Sequence, residues 1–551
     1  MVVAIAVVVV LPLSFVVLSL LSPSFDVWSQ LWRTRLPTMV LTTFGLVVMV
    51  AAGTLIVGGG LAWLVTAYKF PGRRLLSWLL VLPLAMPGYV LGFVFLSLAG
   101  YTGPLQRGWR GALGTDAWFP EVRSVWAAAL VLTLVLYPYV YLLARVAFRE
   151  TAASAYDVAR SLGCTPWRAF CRGVFPLARP ALAAGLALVM METLTDFATV
   201  QYFGVETLST GIYQVWRGMY DRDAAAELAG LVLLFALGVI VAERSLRGRA
   251  RYAEPGSGGA RIELQHLRGW RGWVATATAS TVLAAAFAAP VTQLAVWAAG
   301  DGRAARSFER IGTYLANSVM LAVVTAVFVV GLGVVIANAS RFSDNRVLRA
   351  ATRISIAGYA VPAPVVAIGV LLLIAALDAL LRSLGIRVSG LLVTGSVAAV
   401  LYGYTVRFLA LGVTSVEASM AKVPDEITQS ARSLGASSTR IITRLHVPLS
   451  RAGIATAAML VAIEAMKELP IVLLLRPFGF DTLSVWVWQL AAESLWEEAA
   501  LPALIIVAVS VLPVAVLSGQ LARGEHEPVS GRSGAPDVAP AAAVRVEELV
   551  S

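Results

Sequence analysis

Charged side chains are scarce in this chain: they make up 14% of its 551 residues, while 59% of the residues are hydrophobic. Soluble domains carry about 25% charged residues, so the composition excludes an ordinary soluble protein. Apolar runs of about 20 residues, the length that a helix needs to cross a bilayer, recur throughout. The short alternating segments of a membrane β-barrel are missing. The sequence therefore predicts an all-α polytopic membrane protein with about twelve transmembrane helices.

Lysine and cysteine are also rare. The three lysines are Lys69, Lys422 and Lys467, and none follows a glycine. This excludes a G-x-x-x-x-G-K-[ST] phosphate-binding loop, and with it a conventional ATPase. The two cysteines, Cys164 and Cys171, lack the CxxC spacing of a zinc site and imply no disulfide framework. We expect a chain that is not an enzyme, binds no cofactor of its own and has no firmly assigned metal site.

The net charge of +11 is mostly a signal of membrane topology. Lys and Arg are concentrated in alternate loops between the apolar runs, and the positive-inside rule places those loops and both termini in the cytoplasm. The basic residues are scattered and lack interleaved aromatic residues, so nucleic acid is not an expected partner. The lipid bilayer is the expected environment.

One polar motif occurs twice. Residues 157–180 are DVARSLGCTPWRAFCRGVFPLARP, and residues 429–452 are QSARSLGASSTRIITRLHVPLSRA. Gly163 and Pro176 of the first copy align with Gly435 and Pro448 of the second at one constant offset in numbering. Self-similarity over so long a period indicates two copies of one membrane domain rather than a solenoid.

The repeat predicts the organisation of the chain. Two six-helix halves with the same orientation should be related by a pseudo-twofold axis along the membrane normal. The predicted divisions are 1–37 (first span and outer loop), 38–246 (first repeat, with a cytoplasmic loop at 150–180), 247–271 (cytoplasmic linker), 272–521 (second repeat, with a cytoplasmic loop at 417–452) and 522–551 (disordered cytoplasmic tail). We name 150–180 and 417–452 the first and second SLG loops.

The SLG loops resemble the "EAA" loop of permeases in binding-protein-dependent ABC importers. The resemblance lies in Asp157-Val158-Ala159, Gly163 and Val174-Phe175-Pro176, and in Gln429-Ser430-Ala431, Gly435 and His446-Val447-Pro448. Asp157 replaces the family's Glu, and Gln429 is uncharged. The Gly interrupts a helical pattern at a cost of about 1 kcal/mol, so we expect two short helices at an angle.

The resemblance implies the fold of a type I ABC importer permease, in which these loops dock on separate ATPase subunits. Two loops imply two ATPase copies, with ATP used by those partners. The candidate ATPase-coupling residues are Asp157, Ala159, Leu162, Gly163, Pro176, Ala431, Leu434, Gly435 and Pro448.

Charged residues occur at matched positions inside two apolar spans. The first span has Glu192 and Asp196, and the second has Glu464, Lys467 and Glu468. Residues four apart lie on one helix face, and charges inside a membrane usually face the bundle interior or a water-filled path. We interpret them as candidates for the substrate path. The alternative is structural: Lys467 could neutralise Glu464 or bond across the pseudo-twofold axis.

A third pair of matched segments follows these spans on the opposite side of the membrane. Residues 203–210 (FGVETLST) and 478–485 (FGFDTLSV) contain Glu206 and Asp481, which we take as candidates for docking a periplasmic solute-binding protein. The segments ETLTDFATVQYFGVETLSTGIYQVW and MKELPIVLLLRPFGFDTLSVWVW are similar to ferric-iron importer permeases in which two halves are fused. That resemblance implies iron(III) as the substrate, moved across a bacterial inner membrane by alternating access, and hard cations suit oxygen ligands.

Other functions remain open at this point. Permeases for thiamine or phosphonate would share the fold and the loops. A twelve-helix secondary transporter would need no ATPase, and the duplicated SLG loops count against it. A membrane scaffold or receptor without transport is weakly disfavoured by the matched intramembrane carboxylates.

Overall fold

The computed structural model describes residues 1–21, 25–114, 118–150, 153–219, 221–247, 264–300, 304–342, 345–356, 358, 361–385 and 395–526. We refer to the described residues up to 247 as the first half and to those from 264 as the second half. Apart from one two-stranded sheet, the regular structure described is helical.

The first half has fourteen α-helices among its described residues. They are Val2–Ser19, Phe25–Thr34, Leu36–Thr54, Gly60–Ala67, Arg73–Leu79, Gly88–Ala99, Pro104–Leu113, Val125–Glu150, Ala153–Ser161, Pro166–Ala169, Phe175–Thr195, Ala198–Tyr202, Leu208–Gln214 and Arg222–Arg247. Single π-helical turns at Leu55–Gly59, Phe170–Val174 and Val215–Met219 and a 3₁₀ turn at Leu82–Ala85 connect some of them.

The helices of the second half follow the same plan. They are Trp270–Leu283, Ala289–Gly300, Ala304–Phe342, Arg346–Ile356, Ala363–Ser383, Val397–Met420, Asp425–Ser433, Ser438–Ile441, Val447–Leu449, Arg451–Lys467, Pro470–Leu475, Leu483–Ala492 and Trp496–His526. Here π-helical turns lie at Ala284–Ala288 and Ile442–His446.

Many of these helices can cross a membrane. Within the described residues, ten helices are long and apolar enough, or eleven if Ser438–Leu449 and Arg451–Lys467, which meet at 78°, form one broken span. The last predicted span falls in the helix Trp496–His526, part of whose side chains lie outside the description. The all-α polytopic fold is confirmed, with ten to eleven spans assigned by length and composition.

The first candidate span of each half, Val2–Ser19 and Trp270–Gly300, packs against the other half. Val2–Ser19 lies on Arg346–Ile356 and Ala363–Ser383, and Tyr402 donates a hydrogen bond to the Val8 carbonyl at 2.6 Å. Conversely, Trp297 stacks on Phe93, with ring centroids 6.5 Å apart. The two halves therefore contact each other through these first spans as well as through their central surfaces.

The predicted linker and tail differ from expectation at their described ends. Residues 248–263 lie outside the description, but Gln265–His266 forms a parallel strand pair with Tyr68–Lys69. The end of the linker is therefore attached to the first half. The last helix continues to His526, past the predicted start of the tail at 522, and residues 527–551 lie outside the description.

Candidate functional site

The helices of the two SLG loops begin and end at corresponding residues. The helix Ala153–Ser161 corresponds to Asp425–Ser433, and Pro166–Ala169 corresponds to Ser438–Ile441, at the same offset that aligns the two sequence motifs. A π-helical turn follows in each loop. The predicted pair of short helices is present in both copies, and the repeat seen in the sequence is a repeat of backbone structure.

Glycine ends the first short helix of each loop. Gly163 has φ +83° and Gly435 has φ +79°, a left-handed conformation that only glycine adopts without strain. The residue after each glycine returns a hydrogen bond to the helix. Cys164 N–H donates to the Ala159 carbonyl, and Ala436 N–H donates to the Ala431 carbonyl, each at 3.0 Å. This arrangement satisfies the last carbonyls of the helix. It explains why the motif needs glycine at this position.

The other candidate coupling residues divide into exposed and packed positions. Leu162 and Leu434 project into open space, with 78% and 51% of their surface exposed, and Asp157 is exposed as well. Ala159 is half-buried and Ala431 buried, and Pro176 and Pro448 are half-buried in the first turns of the following helices. Two apolar side chains held at matched helix ends can contact a partner protein.

The packing beneath the loops differs between the halves. Under the first, Trp63 contacts the rings of Tyr156 and Phe170 at centroid distances of 5.4 and 4.7 Å. Under the second, the buried His446 takes the place that corresponds to Val174. An aromatic cluster thus supports one loop and a polar network supports the other.

The polar network has defined hydrogen bonds. Thr428 Oγ1 lies 3.0 Å from His446 Nε2, and His446 Nδ1 bonds to Asn338 Oδ1. Neutral imidazole fits both contacts, since it offers one donor and one acceptor. Burial, together with the nearby Arg341 and Arg432, lowers the pKa of His446 to about 4. Arg341 also pairs with Asp425 at 2.6 Å, which ties the short helix to the rest of its half.

A cavity of about 130 Å³ lies between the halves, and its lining includes all five predicted intramembrane charges. Glu192 and Asp196 come from the end of the helix Phe175–Thr195, and Glu464, Lys467 and Glu468 from the end of Arg451–Lys467. Each of these helices begins beside an SLG loop and is about 30 Å long or less. The structure brings the two separated sequence motifs into one site.

Asp196 and Glu468 have a structural role at matched positions. Asp196 accepts bonds from Thr199, at 2.9 Å from the backbone N–H and 2.6 Å from the hydroxyl. Glu468 accepts from Ile471 N–H at 3.2 Å. Each carboxylate caps the short helix that follows it and still lines the cavity. At Gly88, an added Cβ would lie 3.0 Å from Asp196 Oδ2 and 2.9 Å from Thr199 Oγ1, so glycine permits this close approach.

Ion pairs join the other charges. Lys467 donates to Glu464 at 2.7 Å, as the structural alternative proposed, and also to the Leu84 carbonyl of the first half at 3.3 Å. Arg407 donates to Glu192 at 3.3 Å. Arg407 and Lys467 belong to the second half, whereas Glu192 and Leu84 belong to the first. Two of these contacts therefore cross between the halves.

Arg407 corrects the sequence interpretation. The sequence analysis did not single it out among the intramembrane charges, but it lies within the helix Val397–Met420 and is 5% exposed. The run after it, Phe-Leu-Ala-Leu-Gly-Val, is as apolar as a transmembrane span, and this was the signal that we missed. An arginine inside a span is a functional candidate by default.

The outer loops are similar in backbone and different at their tips. Gly204 and Gly479 both have positive φ. Glu206 pairs with Arg35 at 3.5 Å at the surface, and Asp481 pairs with Arg476. Phe203 is buried, whereas its counterpart Phe478 is fully exposed. Among the candidates for docking, Glu206 is accessible and Asp481 is mostly covered.

No three or more His, Cys, Asp or Glu side chains in the described part of the chain are grouped to hold a metal ion. The four carboxylates surround the cavity without converging on a point.

The model of the family described as binding-protein-dependent transport system inner membrane component matches residues 54–247 and 329–525. The chain belongs to this family. It is therefore a multi-pass permease component of an inner membrane, and both matched segments contain an SLG loop.

Individual relatives refine this assignment. The Fe(3+)-transport system permease protein FbpB 2 of Haemophilus influenzae is 24% identical over 490 residues, 88% of this chain and 90% of that protein. The sulfate transport system permease protein CysT of Escherichia coli is 29% identical over 253 residues, 44% of this chain and 88% of that protein. The near-full-length match and the two family matches confirm the resemblance to fused ferric-iron-type permeases.

Proposed function

We propose that this permease moves iron(III) across the inner membrane. The observation that carries the proposal is the charge of the central cavity. Its lining has four carboxyl groups, from Glu192, Asp196, Glu464 and Glu468, against two cations, Arg407 and Lys467. Such a surface favours a hard cation with oxygen-preferring chemistry. The relative that spans both halves is named as an Fe(3+) permease.

The energy for transport comes, in this proposal, from partner subunits. The exposed Leu162 and Leu434 at matched helix ends would each contact one of two ATPase copies, which bind and hydrolyse ATP. The broken helix pairs of the SLG loops connect to the helices that carry Glu192 and Glu464. Movement of the loops would thereby reach the cavity and open the path alternately to either side.

A periplasmic binding protein would deliver the cation at the outer loops. Glu206 is accessible for that contact, and the exposed Phe478 adds an apolar anchor on the second half. Aromatic anchors are frequent among the residues that dominate protein interfaces.

Sulfate is the second candidate, because CysT relatives match 44% of the chain. Both cations of the cavity are paired with carboxylates in the structure, which leaves the lining with an excess of acid. A divalent anion would meet repulsion at such a surface. We therefore favour the cation.

Reconstitution with the cognate ATPase and binding protein tests the proposal. Proteoliposomes given ATP should accumulate radiolabelled iron(III) and leave radiolabelled sulfate outside. Accumulation of sulfate instead, by the same preparation, would overturn the assignment of the substrate and retain the permease.

A further inference from the structure

The carboxyl groups of the cavity occur at matched positions in both halves, whereas its cations occur in the second half alone. Glu192 and Asp196 are repeated, at the offset of the SLG loops, as Glu464 and Glu468. The cations are not repeated: the first-half counterparts of Arg407 and Lys467 are Val135 and Thr195. Duplication therefore accounts for the four carboxyl groups, and a separate cause is needed for two cations that occur only in the second half.

Both cations reach across the interface. Arg407 Nη2 lies 3.3 Å from Glu192 Oε1, and its Nη1 donates to the Val361 carbonyl at 2.8 Å, which fixes the guanidinium on its own half. Lys467 Nζ lies between Glu464 and the first-half Leu84 carbonyl. Charged hydrogen bonds of this kind are strong when they are desolvated, and Arg407 is almost fully buried.

Aromatic contacts also join the two halves. Tyr202 of the first half donates to the Trp488 carbonyl of the second at 3.2 Å, and Phe197 lies 5.9 Å from Trp488 between ring centroids. These residues follow the carboxylate-bearing helices, on the side opposite the SLG loops. The halves are thus held together at this end by rings and by ion pairs.

We propose that Arg407, assisted by Lys467, is an internal counter-ion that latches the two halves around the cargo-free path, and that an arriving cation takes its place on Glu192. The inference rests on the proposed function in taking a cation as cargo. Arg407 is then a positioning residue, which holds the two halves together while no cargo is bound. Glu192 is partly buried, and a desolvated carboxylate without a counter-charge is costly. Cargo and guanidinium can therefore substitute for each other, and the energy of the exchange couples loading to opening.

The latch predicts a specific effect of removing the guanidinium. In the purified complex with its ATPase subunits, in lipid nanodiscs without cargo or binding protein, Arg407→Gln should raise ATP hydrolysis about five-fold or more, the lower end of common coupling energies. Addition of the iron(III)-loaded binding protein should then stimulate hydrolysis less than in the wild type. Arg407→Lys keeps the charge and should remain close to the wild type.

Two controls separate the latch from general damage. Arg110→Gln makes the same chemical change at an arginine that bonds within the first half, to the Tyr101 carbonyl at 2.6 Å, and should leave hydrolysis unchanged. The effects of Glu192→Gln and Arg407→Gln should not add, because residues that share one interaction are coupled. If Arg407→Gln does not fold, the charge exchange of Glu192→Arg with Arg407→Glu should restore cargo-dependent hydrolysis.

The latch is overturned if folded Arg407→Gln keeps the wild-type rate without cargo, or if its effect adds to that of Glu192→Gln. These outcomes differ from failure of the proposed function. Hydrolysis without cargo does not depend on which solute is carried, so a wild-type complex that transports sulfate would refute iron(III) while the latch measurement remained decisive.

Discussion

Gly163 and Gly435 occupy matched positions in the two sequence motifs and have the same left-handed backbone, with φ +83° and +79°. Neither has an atom within 4 Å of an added Cβ, so conformation and not space selects glycine. Each lies between the two short helices of its SLG loop, directly after an exposed leucine.

Replacing Gly435 by Val should therefore uncouple the permease without unfolding it. The left-handed conformation costs other residues about 1–2 kcal/mol, which the loop can relieve by rotating the short helix. Transport should fall at least ten-fold in this variant, while its thermal stability in detergent changes little. Gly163→Val is the matched variant on the other loop; transport at the wild-type level in both would contradict the coupling role.

His446 should make the second SLG loop sensitive to acid. Its pKa is lowered to about 4 from an ordinary 6.5, so below pH 6.5 the unfolded segment binds a proton that the folded loop does not. The loop therefore becomes less stable as the pH drops from 6.5 to 4. The equilibrium constant for its local opening rises by up to about ten-fold per pH unit. The protection factors of Asp425–Ser433 in hydrogen exchange, which are corrected for the intrinsic exchange rate at each pH, should fall over this range.

The first SLG loop provides the control, because Val174 lies at the corresponding position. Exchange of Ala153–Ser161 should lack this acid step, and His446→Val should remove it from the second loop. An acid step that persists in His446→Val would assign it to another group.

Glu468→Gln tests whether the cavity carboxylates act on the cation. Glutamine keeps an oxygen that can accept from Ile471 N–H, so the helix cap survives while the negative charge is lost. Iron uptake should fall several-fold, with ATPase binding unchanged in co-purification. Unaltered uptake would remove Glu468 from the path and leave it as a cap alone.

Gly88→Ala tests the close approach between Gly88 and the Asp196 carboxylate. The new methyl group would overlap Thr199 Oγ1 and crowd Asp196 Oδ2, and overpacking of this kind costs about 1–3 kcal/mol. The variant should be less stable to heat, and Gly108→Ala, where an added Cβ meets nothing within 4 Å, should not. Equal stability of the two variants would refute the packing argument.

The sequence predicted the repeat, the helical class and the turn glycines because each depends on local rules of hydrophobic length and backbone conformation. It also offered the Lys467–Glu464 pair as an alternative to the substrate path, because its members lie one helical turn apart. It did not reveal the Glu192–Arg407 pair, since contacts between residues 215 positions apart depend on how the halves pack. The caps formed by Asp196 and Glu468 were missed for a different reason. Pro470 marks the helix end after Glu468, whereas the break after Asp196 carries neither glycine nor proline.

Uptake of radiolabelled iron(III) by iron-starved cells, with and without this chain, tests the central claim most directly. In a strain without another iron(III) importer, deletion should abolish uptake, and the wild-type chain should restore it while Gly435→Val does not. Unchanged uptake in the deletion strain would contradict iron(III) as the substrate and direct the search to sulfate, thiamine or phosphonate.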